Sequence, residues 1–188
     1  MTETSPTQQP EQPKIAEFAD VQTMKQLDAR EILGSPEFKA WAGESWQEGG
    51  EVVTDGEVPA IFYHGGNAGV SQFSAADGPN TSAEQTGIYF TPRIQDARFY
   101  AGKLQIDQSD RGLPQDSSVY AVMLKVKQPY ETAKGDEIAS QTALTAPEGF
   151  DGIVNPRSQE VVVFNPDQVF IVGEVKMPSH TAQPAVAA

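Results

Sequence analysis

Cysteine is missing altogether from these 188 residues, which excludes disulfides, cysteine-ligated zinc and a thiol nucleophile. Histidine is nearly missing: His64 and His180 are the only two, too few for a histidine-built metal site. Basic residues are scarce, 13 Lys and Arg against 26 Asp and Glu, so the formal net charge is −13. Proteins that neutralise phosphates need a basic face, and this composition disfavours nucleic acid and anionic membranes as partners. No apolar run approaches the roughly 20 residues that a membrane helix requires. The start, MTETSP, has neither the basic nor the apolar stretch of a signal peptide, so the expected site of action is the cytoplasm. The common nucleotide and hydrolase motifs are absent as well: no GxGxxG, P-loop, HExxH or GxSxG occurs.

What is present reads as one domain between two tails. Residues 1–14 are Thr, Gln, Pro and Glu with almost nothing apolar, and residues 178–188 are small and broken by proline; both are expected to be disordered. The domain is therefore expected over 15–177. The 16 Gly and 14 Pro of the chain favour a loop-rich fold over a helical bundle. Ile15, Phe18, Val21, Met24 and Leu27 recur at near-helical spacing, predicting one amphipathic helix that ends near Gly34. Ser35-Pro36 predicts a second helix, with a capping hydroxyl before a proline at the first helical position and with Phe38 and Trp41 buried. Ala60–His64 reads as a buried strand entering a Gly65-Gly66 loop, Gly87–Phe90 as another strand, and Thr91-Pro92 as the opening of a helix reaching Gly102. Val119–Val126, Asp151–Val154, Glu160–Phe164 and Val169–Lys176 complete a strand-rich second half punctuated by Asn-Pro turns. The class is α+β.

Four residues stand out. His64 lies where a strand meets glycines, a place where backbone can approach a ligand closely. Tyr89 sits inside the strand GIYF, and Tyr100 on the helix that follows it. Glu160 heads EVVVF, where alternation puts Glu160, Val162 and Phe164 on one face. A carboxylate in line with core residues is costly unless it is paired or used. Each residue alone also has a plain structural reading: a core histidine, a strand aromatic, a core anchor, a strand-end carboxylate. Trp41, Trp46, Phe38 and Phe73 read as anchors, the acidic stretch Glu44–Glu51 as a solvated loop, and Phe150-Asp151-Gly152 as a turn.

Taken together, Tyr63-His64-Gly65, Gly87-Ile88-Tyr89-Phe90 with Tyr100, and Glu160 before a strand resemble the ADP-ribosyltransferase superfamily in its His-Tyr-Glu branch. The pattern FKAW, YHG, GIYFT, DGIV, EVVVFNPDQV is similar to the transferase domains of phage polyvalent proteins, and the resemblance spans about residues 35–176. It implies two packed, mostly antiparallel sheets with flanking helices and a cleft for NAD as co-substrate, without a metal. In that cleft it implies nicotinamide between Tyr89 and Tyr100, its carboxamide on the backbone of Gly65, His64 on the adenosine ribose and Arg157 facing the pyrophosphate, with Arg93 a second cation. Glu160 would hold the nicotinamide ribose and is the residue expected to matter most for catalysis, with His64 and Tyr89. Asp151 is given a structural role.

The sequence departs from the pattern at three places. Gly66 stands where relatives carry Ser or Thr, Ala97 where the polymerases carry a carboxamide-binding serine, and Ser158 where arginine-modifying toxins carry Gln or Glu two residues before the catalytic glutamate. Asn67 or Thr91 could replace the missing donor, and arginine is disfavoured as acceptor. The implied activity is mono-ADP-ribosyl transfer to a macromolecule, protein ahead of nucleic acid unless Arg93, Arg98 and Lys103 form a basic rim. The implied setting is phage-related, in a bacterial cytoplasm, and the resemblance sets no oligomeric state. An NAD glycohydrolase, a silent NAD- or partner-binding module and a non-enzymatic virion component remain as alternatives.

Overall fold

The computed structural model describes residues 15–43, 46, 52–56, 58–73, 87–132 and 148–179. The N-terminal tail, His180 and the acidic stretch apart from Trp46 lie outside those residues, as does the C-terminal tail except for Pro178 and Ser179.

Two four-stranded sheets form the body. The first runs β1 (Ala16–Glu17), β10 (Val169–Lys176), β6 (Ser117–Leu124), β4 (Phe62–Asn67), with β1 parallel to β10 and the other pairs antiparallel. The second runs β5 (Ile88–Phe90), β9 (Val161–Val163), β8 (Gly152–Val154), β7 (Pro129–Glu131), with only the β7–β8 pair parallel. A small ribbon of β2 (Thr54–Asp55) and β3 (Val58–Pro59) stands apart. The architecture is α+β, as the residues imply.

Alternation along the strands builds the core. Phe62, Tyr120, Val122, Leu124 and Ile171 face inward from the first sheet, and Ile88, Phe90, Val161 and Val163 meet them from the second. Burying a side chain such as Phe90 contributes about 2–3 kcal/mol, and Phe90 is buried here. The opposite face of the first sheet carries Tyr63, Val119 and Ala121, covered by Ile94, Ala97 and Ala101 of α4 (Ile94–Asp110). Farther along, Phe38 of α3 (Pro36–Ala42) packs with Met123 and Phe170. The Ser35 hydroxyl accepts from the Phe38 amide at 3.1 Å, so α3 starts where its cap and proline place it.

Three expectations need correction. The single N-terminal helix is instead β1 followed by two short helices, α1 (Val21–Met24) and α2 (Ala29–Leu33). Asp20 and Asp28 each cap a new start, the first accepting from the Gln22 and Thr23 amides and the second from the Arg30 amide. Two caps eight residues apart divide the periodic stretch, while the Phe18 amide donates to the Glu174 carbonyl beside β10. Gly65 and Gly66 lie within β4 rather than in a loop, paired with Val119 and Ser118. The helix expected to reach Gly102 runs on to Asp110. A mid-helix glycine costs about 1 kcal/mol, but Gln105 beyond it is buried and donates to the carbonyls of Gln115, Met177 and Pro178.

Candidate active site

The two sheets meet at a fork. The Tyr63 amide donates to the Thr91 carbonyl at 2.8 Å, and the Thr91 amide returns a bond to the Tyr63 carbonyl at 3.0 Å. Two residues back along the chain, Tyr89 has turned away to pair with Val162. Because backbone groups alternate in direction, Gly65 points its amide and carbonyl the same way as Tyr63, away from β6 and into the opening of that fork. A polar edge with one donor and one acceptor is thus presented where the strands diverge.

Side chains converge on the same place. Tyr63 and Thr91 are cross-strand partners and share a face, the one covered by α4. Tyr89, two before Thr91, shares it, and packs beside Val162, Ile153 and Phe164. Glu160, two before Val162, joins them. Tyr100 projects from α4 with 38% of its surface exposed, its ring edge-on to Phe99 at 5.7 Å. Both phenols are held above the usual tyrosine range, first by burial and second by the Glu160 charge, with Asp96 adding to the effect on Tyr100. The Glu160 charge thus bears on both phenols.

His64 sits behind this cluster, largely buried, with its ring against Phe73 at 4.9 Å and Phe90 at 5.5 Å. Its Nδ1 lies 2.8 Å from the Tyr89 carbonyl. A carbonyl only accepts, so Nδ1 carries the proton in this contact. The histidine thereby ties β4 to β5 just inside the fork. Gly66 follows from the same ring: a Cβ there would meet His64 Nε2 at 2.9 Å and Cδ2 at 3.1 Å. Gly65 is constrained from the other face, where a Cβ would run into the Ala97 carbonyl oxygen and lie 2.7 Å from the Ala101 amide nitrogen. The glycine is required by helix packing, a different reason from the ligand approach that the sequence brings to mind, and Ala97 belongs to that packing too.

Glu160 ends a loop with its own internal bonds. The Ser158 hydroxyl donates to its Oε2 at 2.8 Å, and among the described residues Oε1 accepts no hydrogen bond. Arg157 lies on this loop, exposed, with its amide on the Asn155 side-chain oxygen at 2.9 Å. Arg93 is engaged elsewhere, ion-paired with Asp96 at 2.7 Å. Thr91 is also occupied: its hydroxyl accepts from the Arg93 amide and donates to Asp96, so it does not replace the missing serine. The Asn67 side-chain oxygen accepts from Gln108. Asp151 takes the structural role expected of it, receiving the Lys127 and Gln128 amides at 2.9 and 2.7 Å. A separate hollow of about 340 Å³, lined by Lys25, Tyr63, Arg93 and Asp96 among others, contains none of Gly65, Tyr89, Tyr100 or Glu160. Among the described residues no group of three or more acidic or histidine side chains is placed to hold a metal, and no helix is long and apolar enough to cross a membrane.

Two mostly antiparallel four-stranded sheets with a few helices form an α+β arrangement consistent with the ADP-ribosyltransferase fold. Residues 54–142 match the family described as ADP-ribosyltransferase in polyvalent proteins, which bears out the resemblance read from the sequence. The match takes in His64, Gly65, Tyr89 and Tyr100, while Glu160 follows it in the chain. No curated protein is similar enough to match.

The sequence reading missed the Ser158–Glu160 bond and the buried carboxylate of Glu174. Glu174 is 5% exposed and its Oε1 accepts from the Ser118 hydroxyl, the Tyr120 hydroxyl and the Gly69 amide. Alternation in FIVGEVK was the available signal, but the β-bulge between Ile171 and Gly173 shifts it by one residue.

Proposed function

We propose that this protein transfers ADP-ribose from NAD to a macromolecular acceptor and releases nicotinamide. The observation that carries the reading is the convergence of the Gly65 backbone edge, the Tyr89 and Tyr100 rings and the Glu160 carboxylate on one face of the fork. These groups fit the chemistry of the nicotinamide end of NAD. A carboxamide has one donor and one acceptor side, which complements the amide and carbonyl of Gly65. A cationic pyridinium is attracted to phenol faces by stacking and cation–π forces together. NAD would supply the bond that breaks, between nicotinamide and ribose.

The chain's residues would then divide the work. Tyr89 and Tyr100 orient the ring, with His64 keeping Tyr89 in register with β4. Oε1 of Glu160, which accepts no hydrogen bond among the described residues, is available to a ribose hydroxyl. Its charge stabilises the positive character that develops on a sugar as a glycosidic bond loosens, and such stabilisation raises the rate because it is stronger in the transition state than before it. Arg157, exposed on the same loop, is the cation nearest in sequence to Glu160 and is assigned to the pyrophosphate. His64 is assigned to the adenosine ribose as well as to the fork.

The acceptor is proposed to be a protein rather than a nucleic acid, because a formal charge of −13 repels polyanions. The setting is proposed to be phage-related, with the enzyme working on host components in a bacterial cytoplasm, as the resemblance to the transferase domains of phage polyvalent proteins implies. Labelled NAD added to a bacterial lysate with wild-type protein or Glu160→Ala tests this. Label is expected in a protease-sensitive band with wild type only. Nicotinamide release without transferred label would overturn transfer in favour of NAD hydrolysis, and label that appears equally with both proteins would overturn the role of Glu160.

A further inference from the structure

The loop between β8 and β9 is organised around Asn155. Its side-chain oxygen accepts from the Arg157 amide at 2.9 Å and the Ser158 amide at 3.2 Å. Its carbonyl accepts from the Gln159 amide at 2.7 Å, and its own amide donates to the Glu160 carbonyl at 2.9 Å. Gln159 has φ of 59°, the one positive value at a non-glycine residue among those described. A glutamine held in the left-handed region is backbone strain that the surrounding bonds must enforce. The result is a reversal that turns the Ser158 side chain onto that of Glu160, Oγ to Oε2 at 2.8 Å.

This bond is the only side-chain contact that Glu160 makes within hydrogen-bonding or ion-pair distance among the described residues. A glutamate has three rotatable side-chain bonds, and without a partner its carboxylate would sample several positions. The Ser158 backbone is held through its amide on the Asn155 side-chain oxygen, and its Oγ also accepts from the Glu160 amide at 3.4 Å, so the hydroxyl is placed by the loop backbone rather than by the carboxylate alone.

We propose that Ser158 is a positioning residue for Glu160. Its hydroxyl selects one carboxylate orientation and occupies Oε2, so that Oε1 is turned to the reacting sugar. The residue two before the glutamate thus works on the carboxylate and not on an acceptor. This inference rests on the transferase reading above. Small misplacements of a reacting group cost large factors in rate while leaving binding through remote contacts intact.

The test is steady-state nicotinamide release from NAD by wild type, Ser158→Ala, Ser158→Thr and Glu160→Ala, with the Ser158→Ala/Glu160→Ala double variant and thermal melts of each. Ser158→Ala is expected to lower kcat about tenfold with KM for NAD changed by less than about twofold. Ser158→Thr, which keeps a hydroxyl, should recover most of the loss. In the Glu160→Ala background, Ser158→Ala should change the residual rate by less than about twofold, since there is no carboxylate left to position. An active wild type with kcat unchanged in Ser158→Ala overturns the inference alone, as does an equal loss in both backgrounds. A wild type that neither releases nicotinamide nor transfers label overturns the transferase reading and this inference with it.

Discussion

Glu174 and Glu160 are the same side chain put to opposite ends. Glu174 lies on β10 inside the first sheet, its Oε1 filled by Ser118, Tyr120 and the Gly69 amide. The single Tyr120 hydroxyl proton is shared between the Asn67 carbonyl at 2.7 Å and Glu174 at 3.2 Å, and the oxygen receives the Val70 amide at 3.0 Å. That network fixes the end of β4 and the turn after it. Glu160 lies just before β9, an inner strand of the second sheet, and among the described residues it has a single hydroxyl donor. A buried carboxylate that gathers three donors from its own fold holds structure; a half-buried one with a single donor among the described residues, beside two aromatic rings, is available to a ligand. Among the described residues the two sheets differ in the same way: the first is packed on both faces, whereas the second packs one face on the core and carries the small Ile153–Val162 cluster on the other.

Substitutions can break or sharpen that contrast. The largest effect is expected from Glu160→Ala, which should lower nicotinamide release by about 10²–10³-fold while shifting stability by no more than about 1 kcal/mol; rate assays paired with denaturant melts read both. Glu174→Ala should invert the pattern. It strands the Ser118 hydroxyl and the Gly69 amide and is expected to cost about 2–4 kcal/mol of stability. A stable Glu174→Ala protein would erase the distinction between the two carboxylates. Gly65→Ala belongs on the structural side as well: its methyl meets the Ala97 backbone, and overpacking of this kind costs about 1–3 kcal/mol, visible as a lower melting temperature without any ligand present. Tyr100→Ala should fall on the functional side, weakening NAD by about tenfold in calorimetry with little change in melting, because its ring is partly exposed.

The smallest effect is a pH dependence. Tyr120 is held above the ordinary tyrosine range, mainly by burial and further by the Glu174 charge, and Tyr63 is raised by burial. Their raised folded-state values mean that the native protein keeps these protons after the unfolded chain, titrating near pH ~10, has lost them. Stability from this source is therefore complete below about pH 9 and declines as pH rises above about 10. Melting temperatures between pH 8 and 11 should show the decline, and Tyr120→Phe should make it shallower.

Much of this was legible in the residues, for identifiable reasons. Buried strands such as β6, the Ser35-Pro36 start and the Asn165-Pro166 turn each carry a strong local signal, and the structure places them close to where they are expected. The N-terminal helix was misread because capping aspartates cut a periodic run, and periodicity does not register a cap that falls inside it. The long helix was underestimated because tertiary bonds at Gln105 override a glycine. In the site, residue types at the fork could be picked out by resemblance. The reason for Gly65 could not, because α4 supplies it from across the sheet. Ser158 was noticed only as a departure from a pattern, since a hydroxyl's partner depends on a left-handed turn at Gln159 that glutamine does not advertise.

The nicotinamide end of NAD is proposed to sit at the fork between Tyr63 and Thr91. Amide resonances of the isotopically labelled protein, followed through a titration with NAD, test that directly. The largest shifts are predicted at Gly65, Tyr89 and Tyr100, with Ser118, Tyr120 and Glu174 nearly still. Shifts confined to other parts of the surface, or none at saturating NAD, would contradict it.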